Sequence, residues 1–127
     1  KVATRHLIYI YVCCNGYTAI HRRGAGDIWQ GLWEPPFFEN KPLPEWKGKL
    51  SLLASGVKHV LTHRILLADF YCLETDIRPI LPEDYIWIKE EELKKYAVPR
   101  LVERLFKVLP DFGLVKSPKG ANMVSPR

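Results

Sequence analysis

The fold of this chain is indicated first by the stretch Asp27-Ile28-Trp29-Gln30-Gly31-Leu32-Trp33-Glu34-Pro35-Pro36. Its end predicts a short strand, Leu32–Glu34, because the two prolines that follow lack the backbone N–H that a neighbouring strand needs. A second stretch, Lys58-His59-Val60-Leu61-Thr62-His63, marks the connection between two further predicted strands. Neither stretch has the residues of a catalytic triad, a metal cage or a phosphate-binding loop.

The segments around these two stretches predict a domain rich in strands. Thr4–Cys14 alternates around aromatic and β-branched residues, and Tyr17–Arg22 is predicted to return beside it. Asn15-Gly16 between them favours a two-residue hairpin turn, because both positions tolerate a positive φ. Three later strands are predicted: Val57–Leu61, Ile65–Glu74 and Tyr85–Ile88.

Helices are predicted mainly near the C-terminus. The acidic run Glu90–Glu92 suits the first turn of a helix that ends near Tyr96, and Pro99 suits the start of a second one. A short helix is also predicted from about Pro44 to Leu53. The composition of residues 111–127 predicts a disordered tail. We therefore expect an α+β domain over residues 1–110, with a mixed β-sheet, hairpins and two C-terminal helices.

Composition is that of an ordinary soluble globular protein. The chain has 127 residues, of which 47% are hydrophobic and 26% charged, and one domain of this size buries a core without disulfides or metals. No apolar run approaches the ~20 residues of a membrane helix. The net charge of +5 is compatible with a polyanionic partner without establishing one. Because Lys1 leads directly into a strand pattern, the chain is interpreted as a fragment of a longer protein.

Three cysteines, Cys13, Cys14 and Cys72, argue against a disulfide framework. Neighbouring residues of a strand point to opposite faces, so Cys72 has at most one of the other two as a partner. No Cys-x-x-Cys spacing of the kind used in zinc sites occurs. These observations predict reduced thiols in a cytoplasmic protein, and no metal site.

Basic side chains lie on the predicted connections. Arg22 and Arg23 end a strand, while His59 precedes and Arg64 follows the Thr62-His63 connection. Basic residues on connections reach phosphates while the strands hold them in place. From charge alone, a solvated charged surface explains the same residues equally well.

Taken in order, these motifs resemble the C-terminal domain of the A/G-specific adenine DNA glycosylases, the MutY family. Arg22-Arg23 followed by the residues of 29–36 is similar to that family's basic strand end and its W-x-G-L-W/Y-E-F-P pattern, with Pro35 where the family commonly has phenylalanine. Glu92–Pro99 is similar to the family's E-L-x-x-Y-A-x-P. The resemblance covers roughly residues 4–109.

The second stretch is similar to the family's lesion-reading turn, Phe-Ser-His preceded by a histidine, which probes the oxidised guanine. Its counterpart here is Leu61-Thr62-His63 with His59 before it. For Thr62 considered alone, a hydrogen bond to the local backbone is the commoner role. A phosphate or turn-stabilising contact is the expectation for His63, and His59 is open between packing and DNA contact.

The resemblance implies a Nudix-like fold and a non-catalytic role in recognising 8-oxoguanine. It implies duplex DNA with an 8-oxoguanine:adenine mispair as partner, and an N-terminal catalytic domain of the same protein that carries an iron–sulfur cluster and removes the adenine. A monomer in the bacterial cytoplasm, associated with the nucleoid, is expected. The residues implied in lesion or DNA recognition are Leu61, Thr62, His63, His59, Arg22, Arg23 and Arg64, with no catalytic residue in this chain.

Two alternatives stay open at this point: a Nudix-type nucleotide hydrolase with a degenerate metal site, and a protein-interaction module on the same fold. A Nudix hydrolase needs the box G-x5-E-x7-R-E-x2-E-E, whose glutamates hold Mg²⁺ against a pyrophosphate. None of the glycines has a glutamate six positions later, and no Arg-Glu dipeptide occurs. The sequence therefore disfavours hydrolysis.

Overall fold

A computed structural model describes residues 2–110 and arranges them as two β-sheets with two short helical segments at the C-terminal end. The strands are β1 (Ala3–Cys13), β2 (Tyr17–Arg22), β3 (Trp33–Glu34), β4 (Phe37–Glu39), β5 (Lys49–Val60), β6 (Arg64–Glu74) and β7 (Tyr85–Lys89). A 3₁₀-helix, Glu90–Lys95, and one α-helix, α1 (Arg100–Lys107), follow them. The predicted α+β class is confirmed, while the predicted tail, residues 111–127, lies outside the described residues.

The larger sheet is mixed, as predicted. Its strand order is β4-β1-β6-β5, with β1 parallel to β6 from the pair Ala3 and Arg64 to the pair Cys13 and Glu74. Strands β4 and β5 lie antiparallel to their neighbours at the two edges. The smaller sheet, β3-β2-β7, is antiparallel throughout.

The turn predicted at Asn15-Gly16 is present, but the strands on its two sides do not form a hairpin. Asn15 and Gly16 have φ angles of 53° and 85°, and Cys14 and Tyr17 exchange two backbone hydrogen bonds of 2.8 and 3.0 Å. Beyond this single bridge β1 and β2 belong to different sheets. Both edges of β1 are occupied by β4 and β6, so the turn instead carries the chain from one sheet to the other.

The helix predicted from Pro44 to Leu53 is wrong, because residues 49–60 form the edge strand β5. Two register shifts, between Leu52 and Ala54 and between Ala54 and Val57, break the alternation by which a strand is recognised. Gly48 enters this strand with a φ of 131°, and a Cβ there would lie 2.5 Å from the carbonyl oxygen of Glu74. Glycine is therefore required where the backbones of β5 and β6 come together.

The main core lies between α1 and one face of the larger sheet. Leu101, Val102 and Leu105 of the helix are fully buried against a cluster that includes Tyr9 and Phe70. The second predicted C-terminal helix is thus confirmed, and it ends at Lys107. The helix predicted from Glu90 to Tyr96 is the 3₁₀-helix.

The cysteines occupy both faces of the larger sheet. Cys13 packs against the same cluster as Cys72, whereas Cys14 belongs to a second cluster with Ile10 and Val12. All three are free thiols.

Among the described helices, none has the length and apolar character needed to cross a bilayer.

Candidate nucleic-acid interface

The connection between β5 and β6 is a tight, exposed turn. The backbone N–H of Leu61 donates to the carbonyl oxygen of Arg64 over 2.8 Å, which leaves Thr62 and His63 as the two loop residues. Ala3 of β1 donates to the carbonyl oxygen of His63 over 3.3 Å. Thr62 and His63 are exposed, while Leu61 is half-buried and packs against the main core. The turn therefore presents a hydroxyl and an imidazole to solvent from a fixed backbone.

His59 lies on β5 shortly before this turn, and it contacts Trp29 of the stretch Asp27–Pro36. Its ring meets the ring of Trp29 edge-on, with centroids 5.8 Å apart and planes inclined by 67°. Partial burial, followed by the positive charges of Arg104 and Arg100, lowers the pKa of His59 below 6.5. The direction of this shift favours the neutral imidazole, whose observed contact with Trp29 is one of packing.

Asp27 connects the loop of the first stretch to three arginines. Its carboxylate accepts hydrogen bonds from Arg5 over 2.9 and 3.1 Å, from Arg23 over 2.8 Å and from Arg64 over 3.3 Å. The hydrogen bonds from Arg5 hold the pKa of Asp27 down at about 2. Because Arg5 lies on β1 and Arg64 opens β6, this carboxylate ties the loop to the side of the sheet that carries the turn.

Arg23 was predicted to contact phosphate, and the structure gives it a different position. It is only 9% exposed, and its Nη1 donates to both carboxylate oxygens of Glu34 over 3.1 and 2.9 Å. Its Nε donates to the carbonyl oxygen of Ile28 over 2.9 Å, and the guanidinium lies 5.1 Å from the ring centroid of Phe37. Arg23 therefore neutralises a buried glutamate and supports the loop from inside.

Glu34 explains why a cation is needed at that position. Its side chain is completely buried, and a buried carboxylate requires charged or polar partners. Besides Arg23, it contacts the hydroxyl of Tyr9 at 3.0 Å and Nε2 of His21 at 2.8 Å. The acidic residue of the first stretch is thus the centre of a buried polar network that holds both sheets together.

Arg22 and Arg64 stay accessible, in contrast to Arg23. Arg22 is exposed and its Nε donates to the carbonyl oxygen of Gly31 over 3.0 Å. The side chain of Arg64 is 41% exposed despite its contact with Asp27. Of the seven predicted residues, the β5–β6 connection brings together Leu61, Thr62, His63, Arg64 and His59, whereas Arg22 belongs to the smaller sheet.

Sequence reasoning missed three residues near the turn. The role of Asp27 was not predicted, because its partners Arg5 and Arg64 are distant along the chain. Arg100 and Arg104 could have been recognised from their spacing, since residues four apart on a helix share a face. Both side chains are exposed in the structure. Nη1 of Arg104 donates to the carbonyl oxygen of Lys58 over 2.7 Å, which places the C-terminal helix against the strand that leads into the turn.

At the other end of the larger sheet, an open cleft is lined by side chains that include Cys13, Glu74 and Asp76. Lys47 and Ile77 also line it. Within residues 2–110, no three His, Cys, Asp or Glu side chains are grouped as a metal site would require.

The comparisons with known proteins agree with this architecture. The family model described as NUDIX domain matches residues 8–108. The C-terminal domain of mouse MUTYH, solved in complex with human PCNA, is 20% identical, with a TM-score of 0.64 over 82% of this chain and 86% of that one. No curated protein sequence matches the chain.

Two further solved structures share the fold. The MutT protein of Methanosarcina mazei Go1 is 16% identical, with a TM-score of 0.59 over 84% of this chain and 93% of that one. The ORF135 protein of E. coli is 13% identical, with a TM-score of 0.57 over 84% of this chain and 89% of that one. At these identities the likeness shows the fold, and the predicted Nudix-like fold is confirmed. Since the family model spans most of its residues, the chain belongs to the NUDIX domain family.

Proposed function

We propose that this chain is the lesion-recognition domain of an adenine DNA glycosylase that removes adenine mispaired with 8-oxoguanine. The observation that carries the proposal is the Leu61-Thr62-His63 turn. It is exposed at its tip, anchored by Leu61 in the core, and closed by a 2.8 Å backbone hydrogen bond between Leu61 and Arg64. The likeness in fold to the C-terminal domain of mouse MUTYH supports the same assignment.

The chemistry of the lesion suits such a turn. In guanine, N7 only accepts hydrogen bonds in the major groove. Oxidation at C8 places a proton on N7 and adds a carbonyl oxygen. The hydroxyl of Thr62, or a carbonyl oxygen of the turn, then accepts a hydrogen bond from the new N–H. A single polar discrimination of this kind contributes ~1–3 kcal/mol.

The basic residues around the turn supply contacts that do not depend on the base. Arg64 is 41% exposed and its ion pair with Asp27 is long, at 3.3 Å, so a phosphate competes effectively for it. Exposed Arg22 and His63 offer further donors. Contacts to phosphate orient a protein on the duplex, while the base-reading groups confer specificity.

In this proposal, removal of the adenine takes place in a separate catalytic domain of the protein. The parent enzyme flips the adenine into a pocket of a separate helical domain and hydrolyses its glycosidic bond there. The cysteines described here do not fit an iron–sulfur cluster, because Cys13 and Cys14 pack in clusters on opposite faces of the sheet. Burial also raises the pKa of Cys13 and of Cys72 to about 12, which keeps both as neutral thiols. We assign the cluster to the catalytic domain.

A nucleotide hydrolase is the main alternative, since RenU, a Nudix hydrolase of M. smegmatis, shares the fold. The sequence lacks the Nudix box, whose glutamates would hold Mg²⁺ against a pyrophosphate. A protein-interaction module is the second alternative, because the mouse domain was solved in complex with human PCNA.

The deciding experiment compares the affinity of the full-length protein for duplexes that contain 8-oxoguanine:adenine and guanine:adenine. We expect tighter binding of the lesion duplex, together with no Mg²⁺-dependent turnover of 8-oxo-dGTP above a buffer control. Equal affinity for the two duplexes, combined with turnover of the nucleotide, would support the hydrolase. Equal affinity without turnover would support the interaction module.

A further inference from the structure

The helix α1 exposes a basic face beside the proposed lesion-reading turn. Arg100 and Arg104 are exposed one turn apart, and Leu101 and Leu105 next to them are fully buried. The burial of the apolar face fixes the helix on the sheet, so the arginines occupy defined positions. The hydrogen bond from Arg104 to the carbonyl oxygen of Lys58, 2.7 Å long, joins this face to β5.

Lys58 lies near the turn in sequence, and the hydrogen bond from Arg104 brings the helix to the same part of β5. Lys58 lies on β5, which ends at Val60, two residues before Thr62 of the turn. Partial burial, and after it the positive charges of Arg104 and Arg100, lower the pKa of His59. The helix therefore projects positive charge onto the strand that leads into the turn.

These cations lack acidic partners in the part of the chain that the structure describes. Arg100, Arg104 and Lys58 form no ion pair with a carboxylate there. Glu103, also exposed, is the acidic residue of α1. Like charges close together disfavour each other, and a polyanion that approaches this face removes the repulsion while it releases its own counterions.

We infer that Arg100, Arg104 and Lys58 form a second phosphate-binding site, which holds the backbone of duplex DNA beside the Thr62-His63 turn. The planar guanidinium forms two parallel hydrogen bonds to a phosphate, and the fixed helix keeps both forks oriented. The inference rests on the proposed function and adds to it the element that docks the DNA. Since phosphates are the same in damaged and normal duplexes, this site contributes affinity without lesion preference.

The test is the salt dependence of DNA binding by the full-length protein carrying Arg100→Gln together with Arg104→Gln. The logarithm of the affinity falls with the logarithm of the salt concentration, and each phosphate contact contributes about 0.9 to the steepness of that fall. The double variant should therefore reduce the steepness by about 1.8. The decrease should be equal on 8-oxoguanine:adenine and guanine:adenine duplexes. Lys49→Gln is the control. Lys49 lies opposite Glu74 in the sheet, and Glu74 is ten residues along β6 from Arg64, a distance of about 33 Å.

The outcomes separate this inference from the proposed function. An unchanged slope in the double variant, with lesion preference intact, overturns the inference alone, and so does a decrease of about 0.9 in Lys49→Gln. A wild-type protein without affinity for DNA overturns both. If loss of the Arg104 hydrogen bond destabilises the fold, Arg100→Gln alone should still lower the slope by about 0.9. In that case Arg100→Lys, which keeps the charge, should restore it, and failure to do so also overturns the inference.

Discussion

The indole of Trp29 lies edge-on against the imidazole of His59, with ring centroids 5.8 Å apart. This contact joins the two stretches of sequence from which the fold and the function were inferred. Trp29 holds a φ of 60°, a value uncommon for a residue other than glycine, asparagine or aspartate. The packing of its ring against His59 and the main core keeps the backbone in this conformation.

Replacement of Trp29 by alanine should destabilise the loop and the strand beneath the turn. Because the indole is half-buried, we expect a loss of about 2 kcal/mol in the free energy of unfolding, less than the ~3–5 kcal/mol of a fully buried ring. Urea denaturation measures it. Trp29→Phe, which keeps an aromatic edge contact, should lose less than half as much. If Trp29→Ala is as stable as the wild type, the contact contributes little.

Neighbouring arginines should respond very differently to the same substitution. Arg23→Gln leaves the fully buried Glu34 without its cation, and removal of one member of a buried pair costs about 3–5 kcal/mol. Arg22→Gln removes an exposed side chain, and its effect on stability should stay within about 0.5 kcal/mol. Denaturant unfolding of both variants tests this contrast. Equal losses would mean that Arg23 is not the partner on which Glu34 depends.

The contribution of Asp27 to stability should vanish in acid. Hydrogen bonds from Arg5 hold the pKa of Asp27 at about 2, below the ordinary value of 3.8. A carboxyl whose pKa is lower in the folded state stabilises the fold above its ordinary pKa, and this stabilisation is lost as the pH falls. The wild type should therefore be more stable than Asp27→Asn at pH 6, and the difference should shrink between pH 4 and pH 2.

Urea unfolding as a function of pH measures this difference, and Glu83→Gln provides the control. Glu83 is exposed, and it forms no ion pair among residues 2–110. Its substitution should have little effect at any pH in this range. A constant difference between the wild type and Asp27→Asn from pH 6 to pH 2 would contradict the role of the Asp27 carboxylate.

Features set by neighbouring residues were predictable from the sequence, and features set by distant pairings were not. The Asn15-Gly16 turn and the helix that begins after Pro99 follow from local backbone preference, and both were predicted. The separation of β1 and β2 into two sheets depends on β6, which enters the sheet far later in the chain. The two register shifts in β5 concealed its alternation.

The candidate site shows the same division. Leu61-Thr62-His63 was located by a local motif, and the structure presents it as an exposed turn. Arg22 and Arg23 look alike in sequence, yet one is exposed and the other is buried against Glu34. Only the pairing of β2 with β3, which brings Arg22 opposite Trp33, shows how the strand end is arranged. A motif thus identified the turn, while the role of each nearby charge depended on tertiary contacts.

Thr62 should discriminate the lesion from the normal base rather than supply affinity for DNA in general. The hydroxyl of an exposed turn residue accepts a hydrogen bond from the N7–H of 8-oxoguanine, and guanine lacks that proton. Thr62→Val keeps the shape of the side chain and removes the hydroxyl. The preference for 8-oxoguanine:adenine over guanine:adenine duplexes should therefore fall by ~1–2 kcal/mol, or roughly tenfold, if one hydrogen bond reads the base.

The measurement is the ratio of the affinities of the full-length protein for the two duplexes, and Thr62→Ser is the matched control. Serine keeps the hydroxyl on the same backbone, so Thr62→Ser should retain the preference that Thr62→Val loses. An unchanged ratio in Thr62→Val would mean that carbonyl groups of the turn read the lesion instead. Equal weakening on both duplexes would make Thr62 a general contact, because the loss of a base-reading hydrogen bond must fall on the lesion duplex alone.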